Sequence, residues 1–196
     1  MSSLMIHLLA AYKYDSNASI DFFIGNVAPD AVSDRESKDK THFRDQDDRM
    51  QALLDFAKTY DKDNDFVKGV LLHLFLDYHW DIGPQKEHYM NYQGDNWITD
   101  YRMEIGIASA WLFHQKPWGE PMFRNMVSYK AKFPEGICGL SIDAVSSLLA
   151  RNYRWHKDLN PEPSPYFSPD LIEEFTSRIA HNFRDWYDSL SVENTI

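Results

Sequence analysis

The segment Gly69-Val-Leu-Leu-His73-Leu-Phe-Leu-Asp77-Tyr-His79-Trp80 constrains this chain more than any other. Val67, Val70, Leu71, Leu72, Leu74, Phe75 and Leu76 leave a helix over 66–80 with no polar face. A helix that is apolar all round has to sit in the middle of a fold. His73 and Asp77 are four residues apart, so they share one face of that helix, one turn apart. An unpaired carboxylate there would cost several kcal/mol or more, on the order of the penalty for burying a lone charge. Either a His–Asp hydrogen bond that only fixes the core or a bound cation satisfies the pair, and a metal takes both imidazole nitrogen and carboxylate oxygen.

The other helical stretches are shorter or one-sided. Residues 4–14 read as a short helix. Residues 45–60 are amphipathic, with Met50, Leu53, Leu54, Ala57 and Tyr60 on one face, and Asp45, Asp47 and Asp48 suit the positive end of that helix. Further helices are expected over 97–113, 121–132, 141–156 and 168–190, the last announced by Ser168 as cap and Pro169 at the first position. Residues 33–44, highly charged, read as a surface loop. The apolar run 21–30 ends in a turn at Pro29, and Asn160-Pro-Glu-Pro-Ser-Pro165 reads as a stiff linker. No period-2 strand is evident. The expected fold is therefore all-α, a single-domain bundle of helices around 66–80 that spans the 196 residues.

Composition excludes several roles. The net charge of −10 argues against stable binding to nucleic acid or to an anionic membrane. Bound divalent metal can still invert the local field for a phosphate substrate. Cys138 is the one cysteine, so no internal disulfide forms and a reducing compartment fits. Within Ile-Cys-Gly-Leu it is also a possible nucleophile. The N-terminus has no basic region and its apolar run is broken by His7, which predicts no signal peptide. No stretch reaches the length of a membrane span, and a cytoplasmic location is expected.

Three more candidates for chemistry lie outside the central helix. His7 sits among Met5, Ile6, Leu8 and Leu9, Asp30 follows Pro29 at the end of an apolar run, and His42 stands between Thr41 and Phe43. Each alone has a structural reading: a satisfied core histidine, a turn residue, an ordinary surface histidine. Together with His73 and Asp77 they are three histidines and two aspartates in apolar surroundings, the ligand types of zinc or a similar divalent ion.

Met5-Ile-His7, Gly25-Asn-Val-Ala-Pro-Asp30, Lys40-Thr-His42-Phe and the Gly69–Asp77 segment, in that order, resemble the zinc-dependent phospholipase C family, which is related to the S1/P1 nucleases. The resemblance spans about the first half of the chain. It implies an all-α fold of the phospholipase C/P1 nuclease type and a cluster of one to three Zn2+ ions. Asp30, His42, His73 and Asp77 would hold one metal. Asp77 would bridge to a second, which His7 also binds, and Asp30 would act as general base in hydrolysis of a small phosphodiester or a phospholipid-type substrate.

Two departures from the family pattern stand out. Secreted members use a free N-terminal amine as a ligand, a part that Met1 or Ser2 would have to play here. Where the family has His-x-x-x-Glu, this chain has Asp100-Tyr-Arg-Met-Glu104. Asp81, Asp100 and Glu104 form the expected further site, and an oxygen-rich set of this kind favours manganese, magnesium or iron. Exposed polar residues near a helix start are the alternative. His79 and His88 are expected to line the site; His114, His156 and His181 are assigned to surface or core. Arg151-Asn-Tyr-Arg-Trp-His156 mixes base and aromatic in a way that also suits a phosphate contact. No His is followed directly by Asp, and no Glu-x-x-His motif occurs, which argues against His-Asp phosphohydrolases and di-iron bundles. Two functions follow as expectations: a metal-dependent phosphoesterase, or a metal-binding protein that keeps the fold without the chemistry.

Overall fold

The computed structural model describes residues 3–32, 34–130, 137–159 and 161–192. Among them the structure is all-helical, with no strand: α1 (Leu4–Tyr14), α2 (Ile20–Gly25), α3 (Arg35–Thr41), α4 (Arg49–Thr59), α5 (Asp65–Ile82), α6 (Pro84–Asn91), α7 (Trp97–Gln115), α8 (Gly119–Ser128), α9 (Ile142–Asp158) and α10 (Pro169–Val192). Short 3-10 turns at Ala28–Ala31 and Ile137–Gly139 complete it. No helix among the described residues is long and apolar enough to cross a membrane.

The core forms around α5, as its composition requires. Phe66, Val67, Val70, Leu71, Leu72, Leu74, Phe75, Leu76 and Trp80 are all buried, and so are His73 and Asp77. The Asn64 side chain accepts from the Val67 amide at 3.2 Å and starts the helix. α2 crosses α5 backbone against backbone at two glycines. A methyl group on Gly25 would lie 2.1 Å from the Phe66 carbonyl oxygen, and one on Gly69 the same distance from the Phe22 carbonyl oxygen. Only glycine allows that approach. It carries the chain from Gly25 through Asn26 to Asp30 directly over His73.

Three differences from the sequence reading have physical causes. Residues 35–41, expected as loop, form α3: the Asp34 carboxylate accepts from the Ser37 amide at 2.8 Å, and Lys40 pairs with Glu36 one turn earlier at 2.7 Å. Caps and charge pairs build this helix, so apolar periodicity does not reveal it. α4 starts at Arg49 rather than 45, because Asp48 is the residue that caps it, accepting from the Gln51 amide at 2.9 Å. α6 is short and mostly exposed, with Pro84 at its first position and no apolar stripe to announce it. The helix expected over 121–132 runs from Gly119 to Ser128, and residues 131–132 lie outside the described residues, as does Asn160 of the expected linker.

Candidate metal centre

α1, the 3-10 turn after α2, the end of α3 and the middle of α5 converge on one buried point. His7, His73 and Asp77 have no exposed surface, His42 has 1% and Asp30 8%. The His7 Nε2 lies 3.4 Å from Asp77 Oδ1. The His42 Nε2 lies 3.4 Å from Asp77 Oδ2 and 3.6 Å from Asp30 Oδ1. The His73 Nε2 is 3.9 Å from Asp77 Oδ2. The His7 and His73 rings stack, with centroids 3.8 Å apart and planes 6° from parallel. Two overlapping triads, His7/Asp30/His73 and His42/His73/Asp77, have donor atoms within 4.8 Å of one another. The structure thus brings together five of the eight residues singled out by sequence.

The hydrogen bonds settle which nitrogens face inward. The His73 Nδ1 lies 2.8 Å from the Asn26 carbonyl oxygen, and the His42 Nδ1 lies 2.8 Å from the Lys38 carbonyl oxygen. A carbonyl only accepts, so each Nδ1 carries a hydrogen and each ring turns its Nε2 inward. These two Nε2 atoms are 3.1 Å apart. Where neither nitrogen carries a hydrogen, two lone pairs at that distance repel, and the carboxylates beside them add further acceptors. A cation between them removes the repulsion. Burial holds the His73 pKa well below its ordinary value, with the neighbouring His7 adding to the effect, so protonating that ring is not an easy remedy. The donor set therefore fits a divalent ion of the zinc kind.

Electrostatics around the carboxylates point the same way. Burial pushes the Asp30 carboxyl upward, but the His42 hydrogen bond and the Lys38 charge outweigh it and hold Asp30 below the usual carboxylate range. Asp77 is likewise held well below that range, the His7 hydrogen bond opposing the effect of burial. Both carboxylates are ionised at neutral pH, the form that binds metal.

Three cations, none of them picked out by sequence, border the cluster. Lys38 Nζ lies 2.9 Å from Asp30 Oδ1. Arg44 Nη2 lies 3.2 Å from Asp77 Oδ2 and 2.9 Å from Asp81 Oδ2, and Arg49 Nη1 lies 2.9 Å from the same Asp81 oxygen. Arg44 gets there by an unusual turn. The Phe43 amide donates to the Lys40 carbonyl, the Arg44 amide donates to the Asp39 carbonyl, and Phe43 takes φ 54°. This is the Schellman ending of a helix with phenylalanine where glycine is usual, at a cost of roughly 1–2 kcal/mol. The only sequence signal was the clustering of Lys38, Arg44 and Arg49 around His42.

The expected further site from Asp81, Asp100 and Glu104 does not assemble among the described residues. Asp81 is clamped by the two arginines. Asp100 accepts from the Tyr92 hydroxyl, and Glu104 accepts from the Ser164 hydroxyl at 2.5 Å. Local donors satisfy each carboxylate, so spacing along α7 did not translate into convergence. The N-terminal amine lies outside the described residues. His88 does not line the cluster: it is enclosed by Tyr92, Trp97, Tyr101, Tyr166 and Phe167, and the Trp97 indole donates to its Nδ1 at 2.8 Å. His79 packs against Phe75 and Tyr78. Burial pushes the Cys138 thiol up to about 12, which removes it as a nucleophile at neutral pH. In the 151–156 stretch, His156 turns inward to Ser109 at 2.7 Å, while Arg151, Arg154 and Trp155 are exposed. Compared with protein-family models, with curated proteins and with solved structures, the chain matches none, so its chemistry is read from its own side chains.

Proposed function

We propose that this protein is a metal-dependent hydrolase of phosphoric esters, with an all-α fold of the phospholipase C/P1 nuclease type. The observation that carries the reading is the pair of inward-facing imidazole nitrogens, His42 Nε2 and His73 Nε2, 3.1 Å apart and flanked by Asp30 and Asp77. His7, Asp30, His42, His73 and Asp77 would hold the ion. When bound, a zinc-type ion supplies Lewis acidity and a water acidified toward neutral pH.

The chain's own residues do the rest. Asp30 is the most exposed member of the cluster, at 8%. Its carboxylate, ionised at neutral pH, accepts the proton that the attacking water gives up. Lys38, Arg44 and Arg49 are each partly exposed and carry fixed positive charge toward the phosphoryl oxygens. A recess of about 460 Å³ is lined by Thr41 and Phe43, the chain neighbours of His42, with Val32, Lys40, Phe56 and Tyr60, and by none of the five donor residues themselves. It suits the apolar part of a small phosphodiester or phospholipid-type substrate. The net charge of −10 disfavours a long polyanion.

The test is hydrolysis of bis-p-nitrophenyl phosphate by protein loaded with Zn2+ or Mn2+. Turnover is expected, and Asp30→Asn is expected to lower it by about 100-fold or more, the usual range for loss of a general base. Absence of turnover with every divalent metal overturns the enzyme reading. One observation favours a second reading, a metal-holding protein without catalysis: four of the five donor residues are at most 1% exposed. Tightly held metal without turnover is the result that selects it.

A further inference from the structure

The two donor triads share His73. Its Nδ1 is bound to the Asn26 carbonyl, so it offers one donor atom, Nε2, and one imidazole nitrogen coordinates one ion. A second ion bridged by Asp77 would have His7 Nε2 beside it, 3.4 Å from Asp77 Oδ1, and would need further donors. Asp81 is the candidate, one turn along the same face of α5. Its Oδ2 receives Arg44 through both Nε and Nη2 and Arg49 through Nη1, each at 2.9 Å. Arg44 Nη2 also reaches Asp77 Oδ2 at 3.2 Å. One guanidinium thus spans the two carboxylates that a second ion would have to share. Guanidinium stays charged at any working pH and its fork matches carboxylate geometry, so this clamp does not open by losing a proton.

Charge points the same way. Asp30, Asp77 and Asp81 each face at least one cationic side chain, Lys38, Arg44 or Arg49. Lys38 pairs with Asp30 from the more exposed side of the cluster, whereas Arg44 and Arg49 sit against Asp77 and Asp81. Two dications beside two retained guanidinium groups would bring like charges together where little water screens them.

We propose that this centre takes a single divalent ion per chain, and that Arg44, clamped with Arg49 on Asp81, stands in for the second ion that Asp77 would otherwise bridge. The proposal rests on the metal-holding part of the reading above and is independent of whether the protein hydrolyses phosphoric esters.

The experiment is metal analysis of the full chain, equilibrated with zinc, desalted and measured by plasma mass spectrometry, with circular dichroism as a check on folding. One zinc per chain is expected for the unaltered protein and for Arg44→Lys, which keeps the charge. The Arg44→Ala/Arg49→Ala double variant takes both guanidinium groups away from Asp81 and is expected to hold two. Arg44→Gln, neutral but of similar size, carries the same expectation if the double variant does not fold. Two or more ions in the unaltered protein overturn the proposal, and so does a count of one in a folded variant without the Arg44 charge. A count of zero in the unaltered protein is a different result: it overturns the metal-holding reading itself.

Discussion

At the scale of single residues, the molecule separates two kinds of buried histidine by what faces each ring. His73 and His42 donate outward through Nδ1 and meet each other inward through Nε2, beside two carboxylates. His156 is equally buried, but its Nδ1 donates to the Asn152 carbonyl at 2.7 Å and its Nε2 accepts from the Ser109 hydroxyl at 2.7 Å. Each ring nitrogen of His156 thus has its complement, which makes it a structural residue. Ser109 in turn accepts the Met5 amide at 3.4 Å, at an α1 N-terminus that Ser3 does not cap with its side chain. Burial lowers the His156 pKa to about 4 from an ordinary value near 6.5. Below pH 6.5 the unfolded chain takes up a proton at this position and the folded chain does not until about pH 4. The contribution of the neutral ring is complete above 6.5 and declines as pH falls from 6.5 to 4. Chemical denaturation at pH 7 and pH 4.5 should therefore show an acid loss larger by about 2–3 kcal/mol in the unaltered protein than in His156→Gln. Equal losses would mean that the ring is not held neutral by its surroundings.

At the scale of elements, α5 and α2 carry the site, and their crossing is the part least tolerant of change. Gly25 and Gly69 face each other's helix backbones, and Asn26 follows directly, with its carbonyl on His73 and its side-chain amide donating to the Gly69 carbonyl at 3.4 Å. Gly69→Ala places a methyl group 2.1 Å from the Phe22 carbonyl oxygen, a clash with backbone that no rotamer relieves. The expected result is a loss of about 3 kcal/mol or more in urea unfolding, at the upper end for overpacking, with weakened zinc affinity because Asn26 and Asp30 move together. A fully stable variant would show that the two helices can separate without cost. Alanine is otherwise the better helix former by up to about 1 kcal/mol, so propensity alone predicts the opposite sign. α3 teaches the complementary lesson. Its end delivers His42 inward, and the strained Phe43 lets the chain turn sharply enough to bring Arg44 to Asp77.

At the scale of the whole molecule, the first and last described helices, α1 and α10, are tied together by side-chain hydrogen bonds. Lys13 of α1 donates to the Glu173 carbonyl and the Thr176 hydroxyl of α10 at 2.7 and 2.9 Å, and Arg184 donates to the Tyr14 carbonyl at 2.5 Å. α1 is thereby pinned where His7 reaches Asp77. An ion that binds the folded chain and not the unfolded one stabilises this assembly by mass action, about 2.7 kcal/mol at a free concentration 100 times Kd. For a chain of this size that corresponds to roughly 5–10 °C. Thermal unfolding after exhaustive chelation should fall by that amount and recover on adding zinc; an unchanged midpoint would argue that the inward nitrogens are satisfied without metal. The sequence alone determined that the fold is helical, that 66–80 lies at its centre, and that His7, Asp30, His42, His73 and Asp77 stand apart from ordinary surface residues. Those follow from local periodicity and from the cost of burying charge, both of which a single segment expresses. Only the tertiary structure decided that Asp81 pairs with arginines, that Asp100 and Glu104 are satisfied by Tyr92 and Ser164, and that Lys38 and Arg44 border the cluster. These depend on which donors the tertiary packing brings to each carboxylate, and spacing along one helix carries no information about that.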